Sequence, residues 1–279
     1  MGAVFCFHFP FYKKYDILVK RKVIALKYTD LIFDLYGTLV DTHTEEGIDT
    51  WERTAIYYGF YGANYTGKEL MEAFDRSVRQ REAAAKTAAD HLPDLPCEES
   101  FAQLFQDKGV TKNADSLGFQ AAQVFRMISM EYLKLYPGVK EALTRLRKAG
   151  YRLWLLSNAQ AVFTAYEIRY LGLESYFDGI YLSSDHGCRK PDARFFHKLL
   201  KEQNLDSSKC LMIGNDRRSD IAGGTAAGLD TLYMHTNITP PGQKSADPAL
   251  LPGVAPTDCQ HFEYEGSDWQ DLIKYILTL

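Results

Sequence analysis

Cysteine is scarce in this chain, and long apolar runs are absent. The 279 residues include 5 cysteines, none of them in a Cys-x-x-Cys pair. A scattered, odd-numbered set argues against a disulfide framework or a zinc ribbon, and it predicts a reducing, cytoplasmic location. No stretch approaches the roughly 20 apolar residues that span a bilayer, so we expect no membrane partner.

An excess of positive charge is also missing. The chain carries 32 Lys and Arg residues against 36 Asp and Glu residues, which gives a formal net charge of −4 at pH 7. Proteins that bind a nucleic-acid backbone normally present a basic surface, so this balance argues against nucleic-acid binding. Hydrophobic residues, by contrast, make up 46% of the chain, which is enough for a sizeable core.

Residues 1–29 differ from the remainder of the chain. They begin with an apolar, aromatic stretch and continue with a basic one, which is the reverse of the order in a secretory signal. We interpret them as an N-terminal extension ahead of the main domain, with one possible strand near Tyr15–Val19.

Strand-like and helix-like segments alternate in the second half of the chain. Val139–Ala149 carries apolar residues on one face and stops before Gly150, which predicts a helix. Ala193–Gln203 is predicted to form another helix. The alternation indicates an α/β fold with a Rossmann-like parallel sheet. The predicted strands are Leu31–Asp34, Arg152–Leu156, Gly179–Leu182, Cys210–Ile213 and Thr231–Met234.

About 120 residues separate the first predicted strand from the second, too many for a bare loop. Apolar residues recur at helical spacing in this interval, as in Ile48, Trp51 and Ala55. A longer face comprises Phe125, Ile128, Tyr132 and Leu135. We therefore predict an all-helical cap over residues 44–136, inserted into a core formed by residues 30–43 and 137–279. The aromatic surface of such a cap could support a homodimer.

Polar residues follow the predicted strands where each strand ends. Ligands of open parallel sheets bind beyond the carboxyl ends of the strands, so we expect these residues to form one site. They are Asp34, Tyr36 and Gly37 after the first strand, Ser157 and Asn158 after the second, Lys190 beyond the third, and Asp216 and Asp220 after the fourth.

In this pattern the sequence resembles the haloacid dehalogenase superfamily over residues 30 to about 237. The resemblance implies that Asp34 is a nucleophile and that Lys190 and Ser157 stabilise the group under attack. It also implies substrate contacts from Asn158, Tyr36 and Gly37. The family's helical cap lies where the insertion is predicted here.

The acidic motif implies Mg²⁺, which prefers hard oxygen ligands. By resemblance, the ligands are Asp34, the Tyr36 carbonyl and Asp216, with Asp220 close by or ligating. The expected reaction is hydrolysis of a small-molecule phosphate ester through a covalent aspartyl-phosphate intermediate.

Tyr36 departs from the pattern of phosphatases in the family, which carry a second aspartate two residues after the nucleophile. That aspartate protonates the leaving group and activates water, and a phenol with a pKa near 10 is a poor substitute. A tyrosine at this position also resembles the 2-haloacid dehalogenases, whose halide leaves without a proton. Two alternatives therefore stay open: a 2-haloacid dehalogenase, and a non-catalytic homologue that binds phosphate and metal.

Overall fold

The computed structural model describes residues 27–88, 91–239 and 258–279. The strand predicted near Tyr15–Val19 lies outside the described residues, as does nearly all of the N-terminal extension. The described strands are β1 Asp30–Phe33, β2 Val40–Thr44, β3 Met130–Leu135, β4 Arg152–Ser157, β5 Gly179–Leu182, β6 Cys210–Gly214, β7 Asp230–His235 and β8 His261–Glu265. The helices are α1 Ile48–Gly59, α2 Gly67–Ala85, α3 Cys97–Asp107, α4 Ala114–Ser129, α5 Val139–Ala149, α6 Ala161–Tyr170, α7 Ser183–His186, α8 Ala193–Glu202, α9 Gly223–Ala226 and α10 Trp269–Ile276.

Six strands form one parallel sheet in the order β5-β4-β1-β6-β7-β8. The predicted α/β class is therefore confirmed. Strand β1 lies at the centre, between β4 and β6, so the segments that follow these three strands begin side by side. This order explains why groups far apart in sequence can meet at one edge of the sheet.

Helices cover both faces of the sheet, because alternate side chains of each strand point to opposite sides. Leu31 and Phe33 pack on the face that α5 and α10 cover, whereas Ile32 packs on the opposite face against α8. All three side chains are fully buried. Burial on both sides accounts for the uninterrupted apolar character of β1 in the sequence.

Four helices, α1 to α4, lie between β2 and β3 and form an apolar cluster of their own. Its large members include Trp51, Tyr58, Phe101 and Phe105, all buried. The prediction of helices with an apolar face is confirmed for Trp51 and Ala55 but is wrong for Ile48, which is 45% exposed. Ile48 is the first residue of α1, where the helix end projects beyond the cluster.

The all-helical prediction for residues 44–136 is wrong at its C-terminal end. Helix α4 stops at Ser129, and Met130–Leu135 is a strand that pairs antiparallel with β2. The predicted helical face therefore ends before Tyr132, because Met130–Leu135 pairs with β2 instead of continuing the helix. The division of the chain into core and cap stays a prediction. Within the described residues, no helix is long and apolar enough to cross a membrane.

Candidate active site

A cavity of about 260 Å³ opens at the carboxyl edge of the sheet. Most of the predicted site residues line it, and Gly37 and Asp220 do not. The lining residues are Asp34, Tyr36, Ser157, Asn158, Lys190, Asn215, Asp216, Ser219 and Ile238. These residues come from the ends of β1, β4 and β6, from the loop before α8 and from the segment after β7, so the structure brings together residues that are far apart in the sequence.

Asp34 follows β1 directly and is 7% exposed. The Lys190 ammonium donates to its Oδ1 at 2.8 Å, and the Ser157 hydroxyl donates to the same oxygen at 3.2 Å. The Thr38 hydroxyl approaches the other oxygen, Oδ2, at a longer 3.4 Å. One oxygen of the carboxylate is thus held by a cation and a hydroxyl, and the second has a weaker contact.

Lys190 lies between two carboxylates, since its ammonium also donates to Asp220 Oδ1 at 2.6 Å. Burial alone would lower the pKa of Lys190, but the charges of Asp220 and Asp34 outweigh it and raise the pKa above its usual value. Lys190 therefore carries a positive charge at neutral pH. This positive charge offsets the negative charges of Asp34 and Asp220, which both contact the ammonium group.

The loop that carries Lys190 is held by Asn158. The Asn158 side chain donates to the Lys190 carbonyl at 3.0 Å and accepts from the Lys190 backbone N–H at 2.8 Å. The Asn158 amide thus holds the Lys190 backbone through both its nitrogen and its oxygen. Asn158 also lines the cavity, so this contact leaves open its predicted role in substrate binding.

Gly37 shapes the loop after Asp34 without lining the cavity. Its φ of +84° favours glycine, and a Cβ there would lie 2.1 Å from the Asn215 amide nitrogen. Asn215 in turn accepts a hydrogen bond from the Thr38 hydroxyl at 3.3 Å. Glycine at position 37 therefore lets the loops after β1 and β6 approach each other closely.

The two aspartates of the acidic motif occupy different positions. Asp216 lines the cavity, and its Oδ1 caps a π-helical turn by accepting from the backbone N–H groups of Arg218 and Ser219, each at 2.8 Å. Asp220 is fully buried, and its oxygens accept from Lys190 and from the Asp216 N–H. Asp216 is therefore the carboxylate that lines the cavity, and Asp220 lies buried behind it.

Tyr36 lines the cavity, and its hydroxyl is hydrogen-bonded to other side chains of the protein. The hydroxyl donates to Glu167 Oε2 at 2.5 Å and lies 3.0 Å from the Thr164 hydroxyl. Glu167 is held in turn by Arg126 of α4. Burial and the Glu167 charge raise the pKa of Tyr36 far above its usual value. The phenol therefore stays protonated at neutral pH.

A second cavity, of about 240 Å³, lies between the inserted helices and α6. Four phenylalanine rings contribute to its wall: Phe74, Phe101, Phe125 and Phe163. Most of its charged lining groups have protein partners, as in the ion pairs Arg81–Glu99, Arg126–Glu167 and Arg189–Glu82. Its free lining is therefore mainly aromatic.

A family model for haloacid dehalogenase-like hydrolases matches residues 31–228. The chain belongs to this family. The match includes every residue that lines the cavity around Asp34 except Ile238, so the resemblance and the enzyme class inferred from the motifs are confirmed at the level of a hydrolase of this family.

Several relatives of this haloacid dehalogenase-like hydrolase are phosphatases. A glyceraldehyde 3-phosphate phosphatase from Pyrococcus abyssi is 34% identical over 103 residues, which cover 37% of this chain and only 43% of that protein. A phosphoglycolate phosphatase from Mesorhizobium japonicum is 32% identical over 231 residues, or 79% of this chain and 88% of that protein. A solved 2-haloacid dehalogenase from Pseudomonas syringae pv. Tomato DC3000 has a TM-score of 0.62 at 22% identity, covering 90% of this chain and 98% of that one, which shows a common fold.

The cavity donors of this hydrolase fit a magnesium ion. Across residues 27–88, 91–239 and 258–279, no group of three or more His, Cys, Asp or Glu side chains is placed to hold a metal. Mg²⁺, however, is commonly bound by one or two carboxylates together with waters and substrate phosphate. Asp34 and Asp216 are two such carboxylates that line this cavity, and Tyr36 lines it as well.

Sequence reasoning missed several residues of this region. Asn215 precedes Asp216 directly, so its place after β6 could have identified it. Arg126 and Glu167 carry no such signal, because they lie in the middle of helical patterns. Ile238 also lines the cavity and follows no recognisable motif.

Proposed function

We propose that this chain is a Mg²⁺-dependent phosphohydrolase that acts on a small phosphate ester through an aspartyl-phosphate intermediate. The observation that carries the proposal is the Asp34 carboxylate, oriented by Lys190 at 2.8 Å and Ser157 at 3.2 Å inside an open cavity. Phosphatases among its relatives support the same chemistry.

In the proposed reaction, a carboxylate oxygen of Asp34 attacks phosphorus, and the bond from phosphorus to the leaving-group oxygen breaks. Water then attacks the aspartyl phosphate and releases inorganic phosphate. Lys190 offsets the negative charge of the transferring group, and Ser157 donates to one of its oxygens. Asp34, Asp216 and the Tyr36 carbonyl would hold Mg²⁺, which when bound neutralises phosphate charge.

The position of Tyr36 restricts the substrates in this proposal. Its hydroxyl is bound to Glu167, so no acid at this position protonates the departing oxygen. Substrates with weakly basic leaving groups are therefore favoured.

The test is turnover of 4-nitrophenyl phosphate with Mg²⁺, compared with a sugar phosphate. We expect activity on the aryl ester, little on the sugar phosphate, and loss of activity in EDTA. Turnover that persists in EDTA would show that the metal dependence is wrong. Lack of turnover on every phosphate ester, with measurable binding of Mg²⁺ and phosphate, would favour the non-catalytic homologue.

A second candidate is a metal-independent 2-haloacid dehalogenase. The observation that favours it is Tyr36 itself, since displacement of halide by Asp34 needs no proton on the leaving group. Chloride release from 2-chloropropionate in the presence of EDTA would establish this activity. Against it stands the pair Asp216 and Asp220 after β6, since this acidic motif resembles that of the metal-dependent members of the family.

A further inference from the structure

Three side chains from separate elements form a continuous bridge beside the catalytic loop. Tyr36 follows β1 and donates to Glu167 of α6 at 2.5 Å. Arg126 of α4 completes the bridge with two bonds to Glu167, from Nε at 2.6 Å and from Nη2 at 3.0 Å. The bridge therefore joins an inserted helix, a helix of the sheet layer and the loop of the nucleophile.

The bridge is almost sealed from water. The Arg126 side chain is 12% exposed and that of Glu167 is 5% exposed. The Arg126 guanidinium also lies 5.6 Å from the centre of the Tyr36 ring and 5.1 Å from that of Phe163. Placing an ion pair in such a site costs desolvation, and a buried pair seldom adds net stability over apolar packing. A role in positioning explains its presence better than stability does.

The bridge also contributes residues to the walls of both cavities. Tyr36 lines the cavity around Asp34, whereas Arg126 and Phe163 line the aromatic cavity. Tyr36 is only two residues from Asp34, and the turn between them and Val40 is short, with the Val40 N–H donating to the Leu35 carbonyl at 3.0 Å. A shift of the Tyr36 ring therefore moves the backbone that presents the nucleophile.

We infer that Glu167 and Arg126 are positioning residues, which hold Tyr36 in place and so fix the orientation of the Asp34 loop. On this view position 36 has exchanged an acid–base carboxyl for an anchor between the loop and helix α4. The inference rests on the proposed phosphohydrolase function for its kinetic test and on the loop geometry for its structural test.

The kinetic test uses Glu167→Gln and Arg126→Lys, with Asp30→Asn as the matched control. Asp30 is also a buried carboxylate paired with an arginine, Arg152 at 2.8 Å, but it lies at the opposite end of β1. For 4-nitrophenyl phosphate at saturating Mg²⁺, we expect Glu167→Gln to lower kcat about tenfold or more, and Arg126→Lys to lower it less. The control should keep kcat within about twofold at a similar loss of Tm. Losses of kcat that simply follow Tm in all three variants would overturn the inference.

Hydrogen exchange provides a test that needs no activity. The backbone amides of Gly37, Leu39 and Val40 donate within the loop, at 2.7, 2.9 and 3.0 Å. We expect them to exchange faster in Glu167→Gln and at the wild-type rate in Asp30→Asn. Unchanged exchange in Glu167→Gln would refute the positioning role even if the wild-type enzyme is an active phosphatase. If exchange is faster in Glu167→Gln but the wild-type protein shows no turnover, the positioning role is supported and only the proposed function is refuted.

Discussion

Strand β1 carries a buried aspartate at each end, and the two have opposite surroundings. Asp30, at the amino end, is 1% exposed and receives two bonds of 2.8 Å from Arg152 and one of 2.8 Å from the Trp154 indole. Asp34, just beyond the carboxyl end, has strong contacts on one oxygen and lines an open cavity. Both are buried carboxylates with a cationic partner.

The two aspartates differ in how fully their oxygens are hydrogen-bonded and in whether a ligand can reach them. At Asp30 both oxygens are filled by donors from the neighbouring strand β4, and a further bond comes from the Thr29 hydroxyl at 2.7 Å. At Asp34 the donors converge from different strand ends and leave room for a ligand. A buried charge with a full set of partners holds a structure together, whereas one with incomplete coordination beside a cavity is suited to chemistry.

Asp34→Asn should give the largest effect of any single change. The amide is nearly the same size but is a far weaker nucleophile, so we expect kcat for 4-nitrophenyl phosphate to fall on the order of 10³-fold or more. Steady-state kinetics with purified enzyme measure this, and circular dichroism checks that the fold is kept. Activity within tenfold of wild type would remove Asp34 from its proposed role.

Lys190→Met should give the next largest effect. The change removes the cation shared by Asp34 and Asp220 and leaves two buried carboxylates side by side. We expect kcat/KM to fall about 10²-fold, because the stabilising charge at the transferring group is lost. Urea unfolding should also show lower stability, by about 3 kcal/mol, since breaking a buried ion pair leaves its partners uncompensated. A variant of wild-type stability would contradict the burial of this cluster.

The sequence predicts the carboxyl end of β1 far better than the rest of the site. Apolar runs that stop at Asp34 and Ser157 locate two strand ends, and parallel pairing brings them together. The depth of Asp220 beneath Lys190 was not predictable, because spacing alone does not distinguish a ligand from its support. Gly214 is the structural reason for this depth, since a Cβ there would lie 2.2 Å from the Asp220 carboxylate.

The inserted region was harder to predict, for a physical reason. Helices α1 to α4 follow from the spacing of residues such as Trp51 and Phe101, but strand β3 depends on its partner β2 some 90 residues away. Short strands take their stability from pairing and not from local preference, so a window of sequence shows little of it. The bridge of Arg126, Glu167 and Tyr36 is likewise a long-range contact that no local pattern reveals.

Asp30→Asn should affect stability and leave catalysis alone. Its amide cannot accept the full set of bonds from Arg152 and Trp154, and a hydrogen bond to a charged partner contributes roughly 2 kcal/mol. We expect the free energy of unfolding to fall by about that amount, which lowers Tm by about 5 °C. Urea unfolding and turnover of 4-nitrophenyl phosphate measure the two properties separately. A large loss of kcat would erase the contrast between the two ends of β1.

The smallest effect is expected on stability at low pH, through Asp230 at the same amino edge of the sheet. Burial alone would raise the pKa of Asp230, but hydrogen bonds from Tyr28 at 2.6 Å and Lys27 at 2.9 Å outweigh it and hold the pKa below its usual range. A depressed pKa in the folded state stabilises the protein above the unfolded value, near 3.9, and this contribution is lost as the pH falls through the folded value. The Asp230→Asn variant lacks this group, so wild type should be more stable than the variant by about 1 kcal/mol at pH 6, and the gap should narrow toward pH 3. Urea unfolding at the two pH values tests the sign. If the difference in unfolding free energy widened at low pH, burial would destabilise the Asp230 carboxylate by more than its hydrogen-bond partners stabilise it.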